Sequence, residues 1–195
     1  MTQDPFRPFE TTLPQDEALG ILQAATDGAD DGELFVERRK SEALSYDDGR
    51  LRSASYDASE GFGLRAVKDE VAGYSHSTEM SVAALKRASE TTRLAVGSGG
   101  GVLADAPQPT NRRLYTDEDP IESATFPVKI ETLREIDAFA RDLDSRVVQV
   151  SASLMASLQE VEILRPDGTL IRDVRPMTRV NISTSCRLAA MLAET

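Results

Sequence analysis

Side chains able to do chemistry are few in this chain, and their spacing is poor for it. The one histidine, His76, lies in Tyr74-Ser75-His76-Ser77-Thr78. A lone histidine among hydroxyls reads as a hydrogen-bonded surface or capping residue in preference to a ligand. A serine triad would have to use it, yet Ser151 and Ser153 sit in plain strand sequence with no Gly-x-Ser-x-Gly elbow to expose a hydroxyl. One His and one Cys, without His-x-x-x-His or Cys-x-x-Cys, do not supply the three or four N/S ligands of zinc, although an all-oxygen site stays open. Cys186 is followed by Arg187, which would lower a thiol pKa, but no base stands beside it. A single cysteine makes no internal disulfide and fits a reducing compartment.

Paired carboxylates are plentiful: Asp30 with Asp31, Asp47 with Asp48, Asp142 with Asp144, and the run Asp117-Glu118-Asp119. All fall in turns, in a loop or on the polar face of a helix, where solvation explains them. Asp173 and Arg175 are the best remaining pair. Two residues apart on an extended segment, they leave the same face, and a local ion pair holding a corner is the reading for them, either structural or for interaction. Gly97-Ser98-Gly99-Gly100-Gly101 trails a helix and is not followed by Gly-Lys-Ser/Thr, so it is a linker and not a phosphate loop.

The elements that would carry these residues follow from periodicity. Thr12-Leu13-Pro14-Gln15 has capping-box spacing, with Leu19, Leu22 and Ala25 or Thr26 at helical intervals toward Gly28. Strand-like runs cover 33–40, 42–47, 50–57, 61–68 and 71–77, with Asp48-Gly49 and Asp69-Glu70 at hairpin spacing. Helical period returns over 78–96 and again over 127–144, where Ile130, Leu133, Ile136 or Asp137, Ala140 and Leu143 form a stripe. Residues 146–154 read as a strand. The stretch 161–183 reads as two successive hairpins, the first turning at Arg165-Pro166-Asp167-Gly168 and the second at Asp173-Val174-Arg175-Pro176. The pattern predicts an α+β fold with a largely antiparallel sheet and helices packed on one side.

The domain reading is a flexible arm at 1–11, one domain at 12–183 containing an irregular linker at 97–127, and a divergent tail at 184–195. With 195 residues, 40 % of them hydrophobic, the chain is long enough to bury a core. Its 22 basic against 33 acidic residues give a net charge of −11, which argues against nucleic acid as a partner. No apolar window reaches the length of a membrane span and no signal peptide opens the chain, so the expectation is a cytoplasmic protein with no membrane partner.

Taken together, these segments resemble the N-terminal domain of the TldD/PmbA family, bacterial proteins once called modulators of DNA gyrase, and its TldD branch in particular. The resemblance rests on Leu114-Tyr115-Thr116 with Asp119-Pro120, on Asp137, Ala140-Arg141 and Asp144, on Arg146-Val147, Val150 and Ala152-Ser153-Leu154, and above all on Asp167-Gly168-Thr169-Leu170 followed by Asp173-Val174-Arg175-Pro176. Gly61-Phe62-Gly63-Leu64-Arg65-Ala66 and Gly73-Tyr74 look like the family's meander. It runs from about Leu19 to Ser183, after which Cys186 to Thr195 reads as a short alanine-rich helix.

That resemblance implies a zinc metallopeptidase that works as a heterodimer of TldD with PmbA (TldE) and trims or degrades extended peptides. The family's His-Glu-x-x-x-His motif lies in a C-terminal domain, and nothing in this chain matches it. No catalytic, cofactor or metal residue is therefore carried over, and zinc is expected only in the full-length family member. The implied role is non-catalytic: partner and substrate positioning beside a PmbA/TldE-like subunit or in a homo-oligomer, with extended peptide as substrate of the full-length enzyme. The alternative is a stand-alone peptide- or protein-interaction module working by strand addition.

Overall fold

Short turns set how the strands pair. Asp48 and Gly49 take positive φ, 50° and 75°, the conformation an Asp-Gly hairpin turn requires, and close β1 (Asp31–Asp47) onto β2 (Arg50–Lys68). Asp69, at φ 52°, begins the reversal from β2 into β3 (Val71–Ser77). The computed structural model describes residues 5–69, 71–97 and 116–187, and its five strands form one sheet in the order β3-β2-β1-β4-β5. β4 (Val147–Leu164) runs antiparallel to β1: Asp47 meets Ser151 while Arg38 meets Glu160, so numbering rises on one strand as it falls on the other. β5 (Leu170–Cys186) returns along β4 in the same way, with Arg172 at Glu162 and Asn181 at Ser153. The α+β class with an antiparallel sheet is what the periodicity predicted.

The chain divides into two compact units, and β1, β2, β4 and β5 each contribute residues to both. The first unit comprises 1–39, 58–116 and 159–175. It holds α1 (Pro8–Thr11), α2 (Gln15–Ala25) and α3 (Val82–Val96). Its core joins Leu13, Leu22, Leu34, Leu64, Leu85 and Leu164, all fully buried, with Phe9 and Phe62. Each such side chain contributes about 1.5–3 kcal/mol of transfer free energy. The second unit comprises 40–57, 117–158 and 176–195. Its smaller core is Leu44, Tyr46, Ala152 and, from α4 (Phe126–Leu143), Leu133.

Several expectations change. The segment read as a flexible arm is docked from Phe6 onward: Phe6 and Phe9 are 8 % and 2 % exposed, because burying two aromatic rings outweighs the entropy of ordering a short segment. Thr12 does not open α2. Its N–H and that of Leu13 close on Pro8 O at 2.9 and 2.8 Å, which ends α1, and Pro14 takes the N-cap of α2. Runs 33–40 and 42–47 are one strand, as are 50–57 and 61–68: neither Ser41 nor Ala58-Ser59-Glu60 includes a Gly or Pro, and β2 runs on through Gly61 and Gly63. The second hairpin is absent: β5 continues through Pro176. As an edge strand it loses no ladder bond to the missing N–H if that group faces outward. It also runs on as strand to Cys186, where a helix was expected. The Arg187 N–H donates to Arg146 O at 2.8 Å, and residues 188–195 lie outside the described residues. Leu143 of the α4 stripe is 69 % exposed, whereas Asp137 is buried.

A carboxylate sits inside the first unit. Glu162 is fully buried and accepts from Arg172 Nε at 2.5 Å and from the Phe9 N–H at 3.4 Å, with Arg7 Nη1 at 3.8 Å. Replacing Glu162 with Ala should cost about 3–5 kcal/mol of unfolding free energy, the usual loss when one partner of a buried pair is removed. Urea denaturation checks it; a loss below about 1 kcal/mol would show that the carboxylate holds nothing.

Candidate functional site

Two places in the first unit combine polar chemistry with exposure. At the edge strand β3, Tyr74 and His76 stack with ring centroids 5.8 Å apart and planes at 26°. Tyr74 lies over Gly63, where a Cβ would meet its ring and hydroxyl within 3.1 Å. On the opposite face Ser75 Oγ and Thr92 Oγ1 hydrogen-bond at 3.0 Å, and Gly73 lets α3 approach, since a Cβ there would lie 2.7 Å from Thr92 O. The edge of β3 and the facing side of α3 bound a cleft lined by Tyr74, Ser75, His76, Ser77, Ala84, Arg87, Ala88 and Thr91. Ser81 caps α3 by accepting from the Ala84 N–H at 3.1 Å, in the way a serine N-cap does. Glu79 accepts from Ser81 Oγ at 2.7 Å and from Arg87 Nη2 at 2.6 Å. These two contacts, the serine's foremost, hold its carboxyl below the usual range. His76 packs its ring against that of Tyr74 in this cleft.

Asp173 and Arg175 are brought together on β5. Arg175 Nε donates to Asp173 Oδ2 at 2.6 Å and Nη1 reaches Gln159 Oε1 at 3.4 Å, while Gln159 Nε2 donates to Glu37. The pair thus belongs to a polar row crossing β5, β4 and β1. Several of the other predicted carboxylates find partners that spacing did not reveal. Asp31 pairs with Arg165 at 2.7 Å and Arg65 at 3.4 Å. Asp48 pairs with Arg141, which also holds Asp137 at 3.0 Å. Asp47 accepts from Ser151 Oγ, Gln149 and Arg52, and these bonds, the serine's first, lower its pKa. Ser153 accepts from Asn181. Asp119 caps the Ile121 N–H at 2.8 Å. Only the basic halves of these pairs, spread over the sequence, could have signalled them.

Zinc finds no holder among the described residues. No three of His, Cys, Asp and Glu converge, His76 stacks on Tyr74 and Cys186 is exposed on the edge strand. The donor set does not fit a zinc centre, and no step through metal is derived for these residues.

In the second unit, Lys129 is buried and donates to Glu42 and to Ile121 O. Lys40, two residues before Glu42 on β1, is also buried, with Asp119 Oδ2 at 3.9 Å, but no hydrogen-bond acceptor reaches its Nζ among the described residues. Lys40→Met should therefore be neutral or stabilising by up to about 1 kcal/mol in urea denaturation, because it removes an unsatisfied buried cation. A loss above about 1 kcal/mol would contradict this. Asp144 is held by Arg146, through its guanidinium first and its backbone N–H second, and its pKa falls from 3.8 to about 2. A depressed carboxylate stabilises the fold above its ordinary pKa and ceases to as pH falls toward 2. Carbon-detected NMR titration should place Asp144 near pH 2, and Arg146→Ala should return it toward 3.8.

Residues 32–95 match the PmbA/TldA metallopeptidase domain 1, and residues 119–187 match the PmbA/TldA metallopeptidase central domain. The chain is 33 % identical over 159 residues to a Metalloprotease TldD homolog of Haemophilus influenzae, covering 79 % of this chain and 33 % of that protein. It is 26 % identical over 170 residues to a Metalloprotease TldD homolog of Buchnera aphidicola, covering 87 % and 35 %. The chain thus spans about a third of the length of the curated relatives it matches. TldE from Thermococcus kodakarensis shares the fold, with a TM-score of 0.66 at 17 % identity over 89 % of this chain and 40 % of that one. With two domains of one family matched in succession over more than half of its length, the chain belongs to the PmbA/TldD metallopeptidase family.

Proposed function

We propose that this chain is the N-terminal, non-catalytic portion of a TldD-like metallopeptidase subunit, serving to contact a partner subunit and to position peptide for proteolysis or peptide maturation in the cytoplasm. The observation that carries the reading is the succession of domain 1 and central domain along one chain. In this reading the partner is a PmbA/TldE-like subunit, the substrate is an extended peptide, and the zinc is bound by residues that this chain does not supply. Apolar surface for a partner is present on α4, where Val128, Phe139 and Leu143 are 55 %, 65 % and 69 % exposed. No helix among the described residues is long and apolar enough to cross a membrane.

The test is co-purification of the chain with a PmbA-like subunit from the same genome, together with calorimetric titration of zinc into the chain alone. Stable one-to-one retention of the subunit and no stoichiometric tight zinc binding are expected. A single submicromolar zinc site would overturn the non-catalytic assignment, and failure to retain the subunit would overturn the partner assignment.

A further inference from the structure

We propose that the second unit carries a trough between α4 and β5 that takes a cationic amphipathic helix of a partner protein. This deepens the partner reading above, on which it rests, by naming the kind of element that the apolar flank of α4 receives.

Strand register supplies the first argument. Asn181 of β5 meets Ser153 of β4 and Arg172 meets Glu162, so Val180 stands opposite Leu154 and Ile182 opposite Ala152. Directly opposed residues share a face of the sheet, and Ala152 and Leu154 pack with Leu133 of α4. Val180 and Ile182 therefore lie on the helix side, yet they are 46 % and 53 % exposed. A helix is about 10 Å across and strands lie about 4.8 Å apart, so one helix covers about two strands. α4 meets β1 and β4 through Leu44, Tyr46 and Ala152, and this part of β5 has no helix over it among the described residues.

The flank of α4 supplies the second. Arg141 reaches Asp48, so that side of α4 faces the β1–β2 hairpin. Val128, Phe139 and Leu143 lie about 140–160° round the helix from Arg141, on the flank toward β5, and all three are exposed. They wall a trough whose floor is Val180 and Ile182, an apolar surface of the kind that marks a docking site.

Charge selects the occupant. Glu135 and Asp142 stand four residues before and three after Phe139, on the lip of the same flank, and both are exposed. The helix-side residues of β5 here are Thr178, Val180, Ile182 and Thr184, while Arg179 turns to the other face and bonds Asn181. The net charge of −11 adds a field of the same sign as the lip, which disfavours a second copy of the chain. A helix with an aliphatic stripe edged by lysine or arginine meets both the apolar floor and the acidic lip, in the helix-in-groove mode. From Val128 to Leu143 the wall is about 22 Å long, which suits an occupant of about fifteen residues.

The probe is a fluorescein-labelled peptide of that length, with leucines at i, i+3, i+4 and i+7 spacing and lysines elsewhere, titrated into the full chain by fluorescence anisotropy. Saturable one-to-one binding is expected. A peptide of the same composition in scrambled order should bind at least about tenfold more weakly. A glutamate-for-lysine version should bind at least about fivefold more weakly at low salt, the gap closing at high salt. Phe139→Ser and Ile182→Ser alter exposed side chains and leave the fold standing; each should weaken binding at least about fivefold. Leu94→Ser, at an exposed leucine of the first unit, should leave binding unchanged. Equal binding of the scrambled peptide, or no loss from Phe139→Ser and Ile182→Ser, overturns the proposal. A dimer of the chain that Phe139→Ser dissociates assigns the trough to a second copy and overturns it as well. Retention of the PmbA-like subunit without peptide binding sinks this inference and leaves the reading above standing; peptide binding without retention of the subunit sinks that partner assignment and leaves the trough.

Discussion

Burying Glu162 is the constraint around which the first unit is built. A carboxylate removed from water is tolerated only when its charge is matched and its lone pairs are taken up. Here Arg172 comes from the adjacent strand, Arg7 from the segment before α1, and an N–H from Phe9 at the first turn of α1. Arg172 in turn reaches Glu10, so the same guanidinium ties β5 to α1 from a second side. The contacts that satisfy the charge also place Phe9 and Phe6 against the core, and Arg38 lies over the Phe6 ring at 5.1 Å. The N-terminal segment is thereby part of the unit, held by charge and by apolar burial together.

Arginine and carboxylate pairing continues this logic elsewhere. Arg165 starts the β4–β5 turn, is buried, and is matched by Asp31 and Glu33 of β1. Gln23 of α2 donates to Pro166 O at 2.9 Å in the same turn. A four-residue reversal is therefore pinned by a strand and a helix distant in sequence, which gives Arg165-Pro166-Asp167-Gly168 more than a local role. Lys40 is the exception, a buried ammonium with an acid at 3.9 Å and no hydrogen bond among the described residues.

Much of the fold was legible in the sequence because its signals are local. Asp48-Gly49 is a hairpin turn wherever it stands between alternating runs, and the helical stripe around Leu133 needs only its own period. Strand continuity was less so. Ser41 and the Ala58-Ser59-Glu60 stretch interrupt the apolar alternation without interrupting the backbone, since ladder bonds from neighbouring strands carry a strand across weak sequence. Pro176, which the sequence confines to a strand end, an edge or a bulge, reads as the close of a second hairpin. At a sheet edge it need not close one, and which strand is an edge is a property of the whole sheet.

By itself the sequence determined the element types, the α+β class, the acidic character and the motif set that marks the family, because propensity, turn chemistry and motif are all written in neighbouring residues. Tertiary structure alone decided which charges distant in sequence pair. Asp31 with Arg165 and Glu162 with Arg7 are more than a hundred residues apart, and only the packing of the strands, their turn and the segment before α1 brings them within reach. It likewise decided that β3 is an edge and which of its backbone groups face outward, because hydrogen-bond alternation depends on the neighbour a strand has and not on its own residues.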